Sequence, residues 1–155
     1  MSKNMKRVLY VLIIIICFLI VCCAGWILYN HLSVHFLPIS TMNTVRVDYE
    51  ESEYYSKDDI DAAVAAVKKD FLSMRGCKLY ALQYAGDEKS NDELATYNRD
   101  LPETDRAADC IVLNSVFRSP IRGGGAWNAN EIYTWNWIVV KDSQGNWIVV
   151  NKGYA

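Results

Sequence analysis

Histidine is scarce in this chain: of 155 residues only His31 and His35 carry an imidazole, and none follows them. Beyond residue 35 that absence excludes Ser-His, Cys-His and Asp-His catalysis and most zinc sites. No D-x-D-x-D-G spacing occurs, so a calcium loop of that type is excluded. The glycine run Arg122-Gly123-Gly124-Gly125 lacks the Lys-Ser/Thr of a phosphate-binding loop and does not open a helix. Excess positive charge is missing as well. From residue 41 onward 13 Lys/Arg stand against all 18 Asp/Glu, a net of −5. A net-negative domain repels phosphate backbones, so nucleic acid is not expected as a partner. The chain also has no internal repeats.

What is present begins with a long apolar run. Val8 to Tyr29, VLYVLIIIICFLIVCCAGWILY, is 22 residues without a charge. As a helix it spans about 33 Å, enough for a hydrocarbon core of about 30 Å. The rival is a cleaved secretory signal, whose apolar core is shorter and ends in a small-x-small site. Here Cys22-Cys23-Ala24 matches that site weakly, and Trp26-Ile27-Leu28-Tyr29 continues past it. Val21 before Cys22, and Cys22 before Cys23, fit a lipoprotein box poorly. The anchor is therefore the favoured reading. Lys3, Lys6 and Arg7 precede the run, and no Lys or Arg lies between residues 8 and 45 to compete with them. Basic residues stay on the cytoplasmic side. The expected organisation is thus a cytoplasmic tail at 1–7, a transmembrane helix at 8–29, a stalk at 30–53 and an extracytoplasmic domain at 54–155. Trp26 and Tyr29 fall where an interfacial aromatic belt belongs. His31 and His35, four residues apart just outside, read as a metal pair or pH sensor, or more simply as amphipathic side chains at a headgroup interface. The simpler reading is favoured, because no third ligand is near. Within the stalk, Thr44–Tyr49 suggests a short strand.

In the outer part, Ser56-Lys57-Asp58-Asp59 starts a helix with a Ser cap and acids in the first turn. Ile60, Val64, Val67, Phe71 and Met74 then form one apolar stripe. Four alanines between 62 and 66 keep the helix propensity high, and Gly76 ends the helix as a left-handed residue would. Cys77–Tyr84 alternates as a strand. Ser90-Asn91-Asp92-Glu93 has a capping-box pattern and opens a short helix reaching Asn98. Asp109–Arg118, Glu131–Lys141 and Asn146–Asn151 read as strands, the last two joined by the turn Asp142-Ser143-Gln144-Gly145. Strands following helices predict an α+β domain: one amphipathic helix packed on a curled antiparallel sheet of about four strands.

The segments YYSKDDIDAAVAAVKKDFLSMRGCKL, DCIVLNSVF and YTWNWIVVKDSQGNWIVVNKGY resemble a small membrane-anchored NTF2-like (cystatin-like superfamily) domain of Gram-positive bacteria. The likeness covers about residues 54–155 and is most specific in the C-terminal hairpin, with its D-x-x-G-x-W turn. It implies a cystatin/NTF2-like fold. Members of that superfamily include enzymes, ligand binders and assembly subunits, so the fold alone gives no activity. Enzymes of this type usually hold an Asp or His in the cone, and the missing histidine lowers that reading.

Three groups are candidate sites. Tyr133, Trp135 and Trp137 share one face of a strand, with Trp127 and Trp147 near in sequence. They are the wall of a pocket, an exposed patch, or the core beneath helix 57–75, and core is favoured for at least half of them. Arg122 beside three glycines offers a cation and backbone N–H groups to an anion, against the favoured reading of an ordinary loop. Cys77 and Cys110 lie where disulfides form. If strands 77–84 and 109–118 pair, however, Cys110 falls about 20 Å from Cys77, and a bridge needs Cα atoms within about 7 Å. Two buried thiols are favoured. No cofactor is expected. The expected function is a membrane-anchored, non-enzymatic binding domain for a protein or small ligand, acting through the cone mouth or loop 119–130, with the bilayer as its partner through residues 8–29. The alternatives are a subunit of an envelope secretion or conjugation assembly, and a carboxylate-dependent hydrolase or isomerase. A deep cone with converging polar groups favours ligand binding or catalysis. A filled cone with an apolar outer patch favours assembly.

Overall fold

The computed structural model describes residues 3–41, 44–123 and 127–154. Helix α1 spans Lys3–Thr41. Its stretch Leu9–Tyr29, 21 residues, is long and apolar enough to cross a membrane, and none of it is buried against the rest of the chain. Its large apolar side chains, from Leu9 to Tyr29, are exposed. The helix continues past the apolar run, so residues 30–41, expected as the start of a stalk, are helical. The side chains of His31 and His35 lie outside the described residues.

The remaining chain is α+β. After strand β1 (Arg46–Asp48) comes helix α2 (Lys57–Phe71). Ser56 caps it by accepting the Asp59 N–H, while the Asp59 carboxylate accepts the Ser56 N–H, a reciprocal capping box. Ile60, Val64, Val67, Phe71 and Met74 are all buried. A tight turn through Met74 follows, and Gly76 at φ 78° occupies the left-handed region that lets the chain reverse into strand β2 (Lys78–Tyr84).

Helix α3 spans Asp87–Asn98, followed by strands β3 (Cys110–Arg118), β4 (Ile132–Lys141) and β5 (Trp147–Tyr154). The sheet has five strands in the order β1-β2-β3-β4-β5, rather than about four. It is mixed, not wholly antiparallel: β1 pairs with β2 in parallel, Val47 opposite Leu82. The physical reason is the connection. Parallel neighbours need a crossover between them, and α2 is that crossover. The other pairs are antiparallel, with Lys78 opposite Arg118, Leu113 opposite Trp137 and Val140 opposite Ile148.

The expected capping box at Ser90 is also corrected. Helix α3 begins one turn earlier, behind Gly86, and Ser90 is fully buried inside it. Its hydroxyl accepts the Val112 N–H at 3.1 Å. The true tether at the helix start is Asp87, whose carboxylate accepts from Ser52 Oγ, the Glu53 N–H and the Tyr84 hydroxyl at 2.5, 2.8 and 2.7 Å.

Alternation along β3 gives the sheet two cores. Ile111, Leu113 and Phe117 face α2 and join Phe71, Leu82, Tyr84, Trp137 and Val139. Cys110 and Val112 face the opposite side, where they meet Val140 and the α3 residues Leu94 and Tyr97. Burying a side chain such as Phe71 contributes about 1.5–3 kcal/mol. The packing of α2 over the sheet, with Ile60, Val64, Val67 and Phe71 buried, therefore contributes substantially to holding the domain together.

Candidate functional site

The predicted aromatic set is brought together, as core. Trp137 has no exposed surface, and its indole N–H donates to Ser115 Oγ at 2.8 Å. Tyr133 is buried, and its hydroxyl accepts the Asn128 N–H at 2.9 Å. Phe117 lies at the centre, with ring centroids 5.4–5.7 Å from Phe71, Trp127, Tyr133 and Trp135. Such offset and edge-on pairs add about 0.5–1.5 kcal/mol each beyond area burial. The space between α2 and the sheet is thus filled by rings. One atom stands out: Trp135 Nε1 is buried and has no hydrogen-bond partner among the described residues.

Arg122 is exposed. Gly124 and Gly125, the rest of the candidate anion loop, lie outside the described residues. Gly123 has φ 67°, and a Cβ there would meet the Trp127 carbonyl at 2.9 Å, so a tight turn explains this glycine. The arginine that organises the loop is Arg118, whose guanidinium donates to the Asn130 carbonyl and side-chain oxygens at 3.2 and 3.1 Å. Cys77 and Cys110 are both buried and free, and they belong to the cores on opposite faces of the sheet, so no bridge joins them. Burial pushes their thiols up, to about 11 for Cys77 and about 12 for Cys110. Thiols of that kind are poor nucleophiles.

The notable hollow lies elsewhere. Between the outward face of α2 and the start of β5 run two adjoining depressions of about 340 and 600 Å³. They share Ala66, Lys69, Trp147 and Ile148. Ala62 and Ala65 extend the helix wall, and Asp142 and Asn146 of the β4–β5 turn close one end. Alanines form that wall, so no long side chain fills the space. Ile148 is 42% exposed. The groove lies along a sheet edge, since β5 is the last strand. In an antiparallel pair, alternate residues of an edge strand aim their backbone groups away from the sheet. Along β5, Asn151 takes up the Lys152 N–H at 2.9 Å with its own side chain. Along Trp147–Val150 the described residues provide no backbone hydrogen bonds beyond those to β4.

The groove's charges are unevenly satisfied. Asp70 is bonded to Lys152, whose ammonium also lies 5.2 Å from the Trp137 ring centroid. Asp142 Oδ1 accepts the Asn146 and Gln144 N–H groups, both at 2.8 Å. The Asn146 N–H leads in holding this carboxyl below its usual range. Lys69 is exposed and has no ion-pair partner among the described residues. Sequence reasoning missed this site because its walls are some 80 positions apart in the chain, and Ala62, Ala65 and Ala66 read only as helix formers. The one signal available was their spacing of three and four, a small-residue stripe beside the apolar one.

Other titratable groups pair off as fasteners. Lys57 bonds Asp61 at 2.6 Å, and the Tyr49 hydroxyl donates to the same carboxylate. Lys141 joins Asp59 and Asp109 at 3.4 and 3.7 Å, linking the start of α2 to β3 and β4. Among the described residues no group of three or more His, Cys, Asp or Glu is placed to hold a metal ion.

Comparison of the chain with protein-family models, with curated proteins and with solved structures finds no match.

Proposed function

We propose that this chain is a membrane-anchored protein-interaction domain: α1 holds it in the bilayer, and the α2–β5 groove docks a polypeptide partner outside the cytoplasm. The observation that carries the reading is the coincidence of an open hollow with an uncovered strand edge, beside an interior already packed with Phe71, Phe117 and Trp137. A filled interior leaves no room there for a small ligand, whereas a groove along an edge suits a protein segment. The orientation rests on Lys3, Lys6 and Arg7 at the inner end of the apolar run. An NTF2-like or cystatin-like classification is supported by one helix packed across a meander of antiparallel strands. The parallel β1 and the second helix on the far face depart from the plainest form of that layout. The filled interior also favours a place in an envelope assembly over catalysis.

The test is site-specific photo-crosslinking in intact cells. A photoreactive residue at Ala65 in the groove is compared with one at Asp92, exposed on α3. A discrete adduct at Ala65 that is absent at Asp92 is the expected result. Equal labelling at both positions, or none at Ala65, overturns the reading.

A further inference from the structure

We infer that the groove takes its partner as an extended strand, added to the sheet beside β5, and that Lys69 selects a strand bearing a carboxylate. This rests on the docking reading above and names the chemistry of the partner. Three observations converge on it.

The first is the free edge. Trp147–Val149 form the stretch of β5 that borders the groove, and no described residue hydrogen-bonds to their outward backbone groups. An incoming strand would pair with those groups, and main-chain hydrogen bonds supply affinity in this mode of recognition. The edge is also limited. Beyond it Asn151 occupies the Lys152 N–H, and Lys152 is held by Asp70. The available register is therefore short and centred on Ile148.

The second is the wall. Ala62, Ala65 and Ala66 line the groove with side chains that end at Cβ, which leaves space open between the helix and the strand. Alternate side chains of an added strand point to one face. Here that face meets the alanines on one side and Trp147 and Val149 on the other. Small or β-branched residues fit such a trough.

The third is charge. The domain beyond residue 41 carries a net −5, yet the groove presents an unpaired cation, Lys69. Its acidic neighbours are engaged, Asp70 by Lys152 and Asp142 by the turn's own N–H groups. A carboxylate on the strand completes the site, whereas a lysine there would face Lys69 without compensation.

The test uses the full chain in lipid nanodiscs and a displayed library of randomised decapeptides. The expected enriched peptides alternate small or β-branched residues with one Asp or Glu at a fixed position. Lys69→Glu is expected to weaken the best acidic peptide about tenfold, since it replaces an attraction with a repulsion. The same substitution should shift selection toward Lys or Arg at that position. N-methylation of alternate peptide backbone nitrogens should abolish binding in one of the two phases and leave the other intact. Enrichment no greater than on empty nanodiscs, selection indifferent to Lys69→Glu, or tolerance of N-methylation in both phases overturns the inference. If the Ala65 crosslink forms while the peptides behave in that way, docking stands and the acidic strand falls. If Ala65 captures nothing, docking itself falls.

Discussion

Trp135 and Trp137 lie two positions apart on the same face of β4, and their indole N–H groups have opposite fates. Trp137 donates to Ser115 Oγ at 2.8 Å, while Trp135 Nε1 is buried without a partner among the described residues. Replacing each by Phe in turn removes the same atoms, so the transfer terms nearly cancel in the comparison. Trp137→Phe forfeits a buried hydrogen bond, about 0.5–1.5 kcal/mol. Trp135→Phe instead removes an orphaned donor, whose desolvation penalty is about 1–3 kcal/mol. Trp137 is fully buried and Trp135 is partly exposed, so the cavity left at Trp137 is also the harder to relax. Trp137→Phe should therefore be the more destabilising by about 2 kcal/mol or more. Urea unfolding of the full chain in detergent, followed by far-UV circular dichroism, gives both values from the transition midpoint and slope. Equal losses, or a greater loss for Trp135→Phe, would refute the reasoning about the two N–H groups.

Two further expectations concern titration and reactivity. Burial works to raise the Asp87 pKa, but donors from Ser52, Glu53 and Tyr84 overcome it and hold the carboxyl below its ordinary value. A depressed folded pKa means stability that is present above the unfolded value, near 4, and lost as pH falls through the folded one. Asp87→Asn should thus flatten the acid limb of a stability–pH curve below about pH 4, which unfolding midpoints at successive pH values would measure. The Cys77 and Cys110 thiols, pushed up to about 11 and about 12, should resist maleimide at pH 8 in the folded chain and react fully in urea. Peptide mass spectrometry reads each site. Rapid labelling of either cysteine without denaturant would contradict their burial.

Local chemistry made the outline of the fold legible. The Ser56 cap and the buried stripe from Ile60 to Phe71 each act within a few residues, and the structure has both. The helix, however, ends at Phe71 with a right-handed Leu72 cap, four residues before Gly76. Gly76, with its φ of 78°, serves the turn into β2 and is not the helix stop. Pairing between distant segments was less accessible. Strand β1, Arg46–Asp48, falls within the short strand expected at Thr44–Tyr49, but its place in the sheet was not readable, since its parallel partner is fixed by the crossover of α2. The Ser90 pattern is locally a sound cap. Tertiary contacts overrode it, because Asp87 found donors 34 and 35 residues upstream and Ser90 found the Val112 N–H. The aromatic strand was readable as core from its alternation. The groove was not readable, since neither wall is unusual alone and only folding sets Lys69 beside Trp147.

The central claim is a domain held outside the cytoplasm by α1 with its groove open to partners. Membrane-impermeant maleimide, applied to intact cells with permeable walls, tests it on full-length chains carrying Lys69→Cys or Ser2→Cys. The account expects Lys69→Cys to be labelled from outside and Ser2→Cys to be labelled only after lysis. Labelling of Ser2→Cys in intact cells, with Lys69→Cys protected until lysis, would contradict it.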